Sequence, residues 1–227
     1  MLGVCNYCRS AAADPEVIVE NLRTKMEVAI ERARGDHQYE CVVAFSGGKD
    51  STYTLKMLVE KYRLRCVAVT IDNGFMSTQA RLNADRVTAA LGVDYLVFKP
   101  ASRFMNNLYR ESAASRTLHA PSSIKRASSM CNSCIGLINS YMIKTAIQHR
   151  APLIAGGYIG GQVPKDAALM ELDLRVLETT RISMIKRYVE HFGVAARAYY
   201  DLGEAAIQRD GKITIINPML AVRVTEA

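Results

Sequence analysis

The sequence has no long hydrophobic run. No stretch approaches the roughly 20 apolar residues that a helix needs to cross a bilayer. The start, Met1-Leu2-Gly3-Val4-Cys5-Asn6-Tyr7-Cys8-Arg9, has neither a basic leader nor an apolar segment of signal-peptide length. A membrane-spanning or secreted protein is therefore not expected, and a cytoplasmic one is. No internal repeat is evident, which leaves solenoid architectures aside. Cysteine stops at Cys134: the chain holds 6 (Cys5, Cys8, Cys41, Cys66, Cys131 and Cys134), and in a reducing compartment these do not read as a disulfide framework. Acidic residues are the minority, 22 against 29 basic, for a net charge of +7. That balance suits RNA, and it equally suits a site handling phosphorylated ligands, so charge alone does not choose.

What is present begins with 227 residues that are 49% hydrophobic, enough for one compact unit with a substantial core. The organising stretch is Ala44-Phe45-Ser46-Gly47-Gly48-Lys49-Asp50-Ser51-Thr52-Tyr53. An apolar run from Cys41 to Phe45 stops at two glycines, and a helical pattern starts at once, which predicts strand, tight loop and helix N-terminus. Free N–H groups of a first helical turn, the helix dipole and glycine's lack of a side chain make such a junction an anion site. Adjacent Gly47 and Gly48, with Lys49 followed by Asp50, do not give the Walker A spacing. Replacing Gly47 or Gly48 by valine is expected to block a phosphate through Cβ bulk while leaving the fold largely intact.

The rest of the chain alternates. Asp14-Pro15 opens an amphipathic helix over 15–34, and strands are predicted at 40–45, 64–71, 95–99, 152–157 and 213–216. Between them, Ser77 caps a helix that Gly92 ends, a helix spans 103–113, and another follows Cys131-Asn132-Ser133-Cys134. Residues from about 171 to 192 read as helical. The stretch 114–129, with Arg116, His119, Lys125 and Arg126, reads as a long loop, either a solvated connection or a basic lid. Gly156-Gly157-Tyr158-Ile159-Gly160-Gly161-Gln162 after the fourth strand suggests close backbone approach to a ligand. The order of elements predicts an α/β fold: a five-stranded parallel sheet flanked by helices, Rossmann-like, with ligands at the carboxyl ends of the strands, where Ser46, Asp72 and Lys99 gather. Residues 1–36 form a tail and helix, and 37–227 the main domain.

Ser46-Gly47-Gly48-Lys49-Asp50-Ser51 carries all fixed positions of the Ser-Gly-Gly-x-Asp-Ser signature, and the sequence resembles the PP-loop, or N-type ATP pyrophosphatase, superfamily (adenine nucleotide alpha hydrolase-like). The resemblance implies that ATP is split between its α- and β-phosphates and that AMP is first attached to a substrate oxygen. It implies that Ser46, Gly47, Gly48 and Ser51 cradle pyrophosphate, Lys49 offers a cation, Asp50 orients the loop or holds Mg²⁺, and the adenine lies by Thr70, Ile71 and Asp72, with Gly156 and Gly157 nearby. Pro218 and Leu220 loosely match the family's late Pro-Leu feature. There is no Gly-His-x-x-x-Asp after strand four, a feature that tRNA thiolases of the group often have.

Two Cys-x-x-Cys pairs, Cys5/Cys8 and Cys131/Cys134, supply the four thiolates that tetrahedral zinc or a 4Fe-4S iron–sulfur cluster needs. Cys41 and Cys66 read as buried small residues within strands. A helix N-terminus also favours a reactive thiolate, so Cys131 or Cys134 could instead carry a persulfide. PP-loop sulfur-transferases place sulfur-carrying or cluster-binding cysteines at a similar point, often with a third much later, which this chain does not have.

The expected activity is ATP-dependent sulfur transfer. A substrate carbonyl is adenylated and its oxygen replaced by sulfur, on a small molecule such as a purine or nucleotide, with Asp50, Cys131 and Cys134 in catalytic roles. The alternative is a PP-loop amidotransferase using ammonia, since the Gly3–Arg9 tail and Lys49 resemble the N-acetyl sugar amidotransferases. A further alternative is a tRNA thiolase. A non-catalytic RNA-binding or metal-sensing module leaves the loop unexplained. A sulfur- or ammonia-donor protein and a homo-oligomer are expected partners.

Overall fold

In a computed structural model, the structure describes residues 15–125, 127–160, 162–163, 165–174, 185–202 and 212–222. Helix α1 (Pro15–Arg32) precedes β1 (Cys41–Ala44), and α2 (Lys49–Lys56) continues into a π-helical turn at Met57–Lys61. There follow β2 (Cys66–Ile71), α3 (Thr78–Leu91), β3 (Asp94–Phe98), α4 (Ser102–Ala114), the single turn α5 (Pro121–Ile124), α6 (Ser129–Gln148) and β4 (Leu153–Ala155). Strand β5 (Leu169–Asp173), helical residues 185–192 (α7), α8 (Ala196–Tyr200) and β6 (Lys212–Ile216) complete the described chain. None of its helices is long and apolar enough to cross a membrane.

The strands form one 6-stranded sheet in the order β3-β2-β1-β4-β6-β5. The five strands read from the sequence are the parallel ones, and β5 is added antiparallel at the edge, Glu171 opposite Thr214 and Asp173 opposite Lys212. This corrects two expectations: the sheet has a sixth strand, and residues 171–173 are strand rather than helix. Leu-Met-Glu-Leu-Asp is a helix-favouring composition, but hydrogen bonding along β6 outweighs a weak local preference, and Lys212 Nζ meets Glu171 Oε2 across the pair at 2.8 Å.

The interior strands are buried on both faces, as parallel strands require. On one face, Cys41, Val43, Phe45, Cys66 and Ala68 pack with Met26 and Ile30 of α1, Leu55 and Leu58 of the α2 run, and Ala84 of α3. On the other, Val42, Val67, Val69 and Ile154 pack with Met142, Ile143 and Ala146 of α6. A third cluster joins α4, α6, α7 and α8 through Phe104, Leu108, Leu137, Tyr188, Phe192 and Tyr200. Leu118 belongs to it at 1% exposure. His119 Nε2 lies 2.8 Å from the buried Ser133 hydroxyl, and the Ser115 hydroxyl accepts the N–H groups of Thr117 and Leu118. The connection after α4 is therefore anchored to the core rather than loosely solvated, and none of its described residues lines the cavity discussed next. Arg126 lies outside the described residues.

Two helix boundaries follow from single residues. Ser77 accepts the Ala80 N–H at 3.1 Å and caps α3, whose end Gly92 closes in the left-handed region at φ 63°. Ser128 caps α6 in the same way, accepting the Cys131 N–H at 3.2 Å.

Candidate active site

The chain lays down β1, β2 and β3 in one direction and then returns to place β4 on the other side of β1. The crevice between β1 and β4 is thus the switch point at which open α/β sheets bind ligands beyond the carboxyl ends of their strands. Residues 45–51 leave β1 there, and Gly156 and Gly157 leave β4. A cavity of about 630 Å³ opens between them, walled also by Thr70 and Ile71 at the end of β2, Asn73, Phe75 and Met76 beyond it, Ile138 of α6, and Tyr158 and Gln162. Its volume is that of a typical nucleotide-sized pocket.

The loop after β1 is held by its own serines. Ser51 Oγ accepts the Ser46 N–H at 3.2 Å and donates to the Gly48 carbonyl at 3.1 Å, and the two hydroxyls are 3.0 Å apart. Gly48 is the N-cap of α2 and offers no side chain. The N–H groups of Lys49, Asp50 and Ser51 in the first turn therefore face the cavity end of the helix without intrahelical partners. Lys49 and Asp50 line the cavity, and their side chains have no partner among the described residues. An anion arriving here meets free donors, a helix dipole and a cation. Asp50 is a free carboxylate beside it, a fitting donor for Mg²⁺.

The two loop glycines differ. Gly47 has φ 71°, and a Cβ there would stand 2.3 Å from the Ala80 carbonyl oxygen of α3. Gly48 is exposed, and a Cβ would meet only Ser46 Oγ at 3.3 Å. The expectation that valine at either position spares the fold is thus corrected for Gly47, whose missing side chain lets the loop dock on α3. The glycines after β4 likewise serve the protein's own packing as well as the cavity. A Cβ on Gly157 would lie 3.0 Å from Ser51 Cα, and one on Gly156 would lie 2.4 Å from Asn217 Oδ1.

Thr70 lines the cavity, yet its hydroxyl is occupied, donating to the Phe45 carbonyl and accepting from Tyr95 OH at 2.9 Å. Asp72 is buried and stands outside the cavity lining. Its Oδ2 is 3.4 Å from Lys99 Nζ and 3.5 Å from Arg81 Nη1, and Oδ1 accepts the Gly74 N–H. Burial alone would raise the Asp72 carboxyl, but the Gly74 N–H, Lys99 and Arg81 together outweigh it and hold the group below the usual carboxylate range. Asp72 and Lys99 are brought together as a brace for the loop after β2, which corrects the expectation that they gather with Ser46 at the ligand site: Ser46 lines the cavity and neither of the other two does.

Cys131 is exposed in the first turn of α6 and Cys134 half-buried in the second. Cys134 Sγ accepts a hydrogen bond from Asn73 Nδ2 at 3.5 Å, which ties it to the cavity wall. Tyr109, Tyr158 and Tyr200 are electrostatic neighbours of the same thiol. Burial first, and then the neighbouring Cys134, raises the Tyr109 and Tyr158 phenols. Among the described residues no group of three or more histidines, cysteines or carboxylates is placed to hold a metal, so Cys131 and Cys134 bring two thiols, and Cys5 and Cys8 lie outside the described residues. Cys41 and Cys66 are buried opposite one another in β1 and β2, as expected. Asp72-Asn73-Gly74-Phe75 reads in the sequence only as a turn, so Asn73 and Phe75 were missed, whereas Tyr158 and Gln162 belong to the glycine-rich stretch expected at a ligand. The available signal was an aromatic residue in a turn at the ligand end of a strand.

No family model matches the chain. A curated protein of Methanocaldococcus jannaschii, described as uncharacterized, is 30% identical over 135 residues, which is 60% of this chain and 44% of that protein. The chain thus spans less than half the length of that relative. Similar solved structures include an NH3-dependent NAD synthetase from Campylobacter jejuni, with TM-score 0.43 and 16% identity, over 64% of this chain and 57% of the other. A U34-tRNA thiolase, NcsA from Methanococcus maripaludis, solved with its 4Fe-4S cluster, has TM-score 0.44 and 16% identity over 91% and 62%. A glutamine-dependent NAD+ synthetase from Acinetobacter baumannii in complex with ADP has TM-score 0.42 and 18% identity over 63% and 25%.

Proposed function

We propose that the chain is a PP-loop enzyme that uses ATP to adenylate a substrate carbonyl, releasing pyrophosphate, and that sulfur then replaces the activated oxygen. The observation that carries the reading is the Ser46–Ser51 loop at the switch point, with free first-turn N–H groups, Lys49 and Asp50 all facing one nucleotide-sized cavity. The carbonyl oxygen bonds to the α-phosphorus as the bond from that phosphorus to pyrophosphate breaks. The loop N–H groups and Lys49 stabilise the charge that builds on the departing pyrophosphate. Asp50 would hold Mg²⁺, which supplies further charge neutralisation there. The sulfur nucleophile then attacks the activated carbon, and AMP leaves with the original oxygen.

Sulfur is favoured over ammonia by the placement of Cys134, linked through Asn73 to the cavity wall. Ammonia has no use for a thiol there. Zinc or a 4Fe-4S cluster on Cys131 and Cys134, completed by Cys5 and Cys8, is part of this proposal. The substrate is a small molecule of the purine or nucleotide class, with tRNA and an N-acetyl sugar as the rival acceptors.

The test is the product pair. Turnover should release AMP and pyrophosphate, and ADP as the only nucleotide product would sink the assignment. Cys134→Ala should still exchange pyrophosphate into ATP in the presence of substrate while forming no thiolated product by mass spectrometry. A folded Cys134→Ala that stays fully active with ammonia would replace sulfur transfer by amide formation.

A further inference from the structure

The loop from β2 to α3 is firmly braced although much of it is exposed. Asp72 Oδ1 accepts the Gly74 N–H and Asn73 Oδ1 the Phe75 N–H, both at 3.0 Å, while Lys99 and Arg81 hold Asp72 from the other side. Gly74 stands at φ 91° with nothing within 4 Å of a Cβ, so backbone conformation is the reason for glycine there. What this bracing displays is Phe75, 78% exposed, the most exposed large hydrophobic side chain among the described residues. Its ring lines the cavity and meets Tyr109 edge-on, with centroids 5.3 Å apart at 70°. Most of the ring is left to water.

Phe75 also belongs to the Cys134 neighbourhood, since Asn73 donates to that thiol and Tyr109 interacts with it. Phe75 shares one cavity with the Ser46–Ser51 loop and with Asn73, whose amide reaches the thiol. We propose that Phe75 is a stacking platform for the acceptor substrate, and that the acceptor group is a planar heteroaromatic ring of the nucleobase type. This rests on the adenylation reading above. A sugar acceptor would need free carboxylates and amides around the platform to take its hydroxyls. Around Phe75, Asp72, Arg81 and Lys99 are engaged with one another, Asn73 is spent on Cys134 and the Phe75 N–H, Gln162 Oε1 is taken by the Ile159 N–H, and Met76 and Ile138 line the cavity with apolar surface, while the free carboxylate, Asp50, belongs to the loop after β1. Base-on-aromatic stacking needs no such partners and tolerates an apolar rim.

The chain contains no tryptophan, so Phe75→Trp introduces a single indole at the platform. With α,β-methylene-ATP and Mg²⁺ saturating the nucleotide site, UMP, CMP, GMP, AMP and N-acetylglucosamine 1-phosphate are titrated separately. At least one mononucleotide should quench the indole further, and the sugar phosphate should not. In the otherwise unaltered chain, Phe75→Leu should weaken calorimetric binding of that mononucleotide about tenfold while α,β-methylene-ATP binds within about twofold of its original affinity. Quenching by the ATP analogue alone would assign the ring to adenine and overturn the proposal, as would quenching by the sugar, by none of the probes, or equal weakening of both ligands by Phe75→Leu. If α,β-methylene-ATP gives no binding heat with the unaltered chain, the adenylation reading fails and the platform with it. Binding of the analogue without any second-ligand response fails the platform alone.

Discussion

At position 47 a methyl group would have to occupy the space of the Ala80 carbonyl oxygen, at a backbone angle that side chains rarely adopt. Gly47→Ala should therefore destabilise the chain by more than about 2 kcal/mol in denaturant titration. Gly48→Ala faces only a serine hydroxyl and should cost about 1 kcal/mol or less, yet weaken ATP binding, because its new methyl stands where phosphate must approach the first turn. Equal stability loss at both positions would contradict the packing described. Asp72 gives a prediction in pH. Its folded-state pKa is depressed, so its contribution to stability is complete above the unfolded carboxylate value of about 3.9 and is lost as pH falls below that toward the folded value. Acid titration followed by circular dichroism should show this loss below about pH 4 in the wild type, and Asp72→Asn should remove that component. An acid limb identical in the two proteins would show that Lys99 and Arg81 brace nothing.

For helices and strands, the caps can be tested directly. Ser77→Ala and Ser128→Ala should each cost about 1 kcal/mol, and the second should also fray the turn carrying the already exposed Cys131, lowering the reactivity of Cys131 toward alkylating reagents as the helix end that favours its thiolate is lost. Stability unchanged in both would argue that the cap hydrogen bonds are replaced by water without loss. The parallel strands were legible because each is a short β-branched or apolar run ending in turn residues, and α3 because Ser77 and Gly92 mark both its ends. Strand β5 was not, since Glu171 and Leu172 carry no local strand signal and owe their state to β6, whose residues come about 40 positions later in the ladder. The same reason hid the loop glycines' partners. Nothing near Gly47 in sequence announces Ala80, and nothing near Gly156 announces Asn217.

Across the whole molecule, the open quantity is metal. If Cys5 and Cys8 complete a site with Cys131 and Cys134, purified protein should hold one zinc or one iron–sulfur cluster per chain, and the double change Cys5→Ser with Cys8→Ser should release it. Full metal retention by that variant, measured by elemental analysis and anaerobic absorption spectra, would exclude the tail from the site. The strand–loop–helix form of residues 41–56, by contrast, was legible almost completely, because it is carried by consecutive residues. The surroundings of Phe75 were not, because Asn73 meets Cys134 and Phe75 meets Tyr109 only after β2, α4 and α6 have packed.

Gly157 rests against the backbone of Ser51, and β4 pairs with β1, although half the chain separates them. During synthesis the phosphate loop therefore leaves the ribosome long before the strand that buttresses it. Until β4 arrives, β1 has one unpaired edge, and the loop has α3 on one side and water on the other. A nascent chain ending before Leu153 should accordingly be unable to retain ATP, and ATP added to a refolding chain should act late, trapping the finished site rather than guiding its assembly.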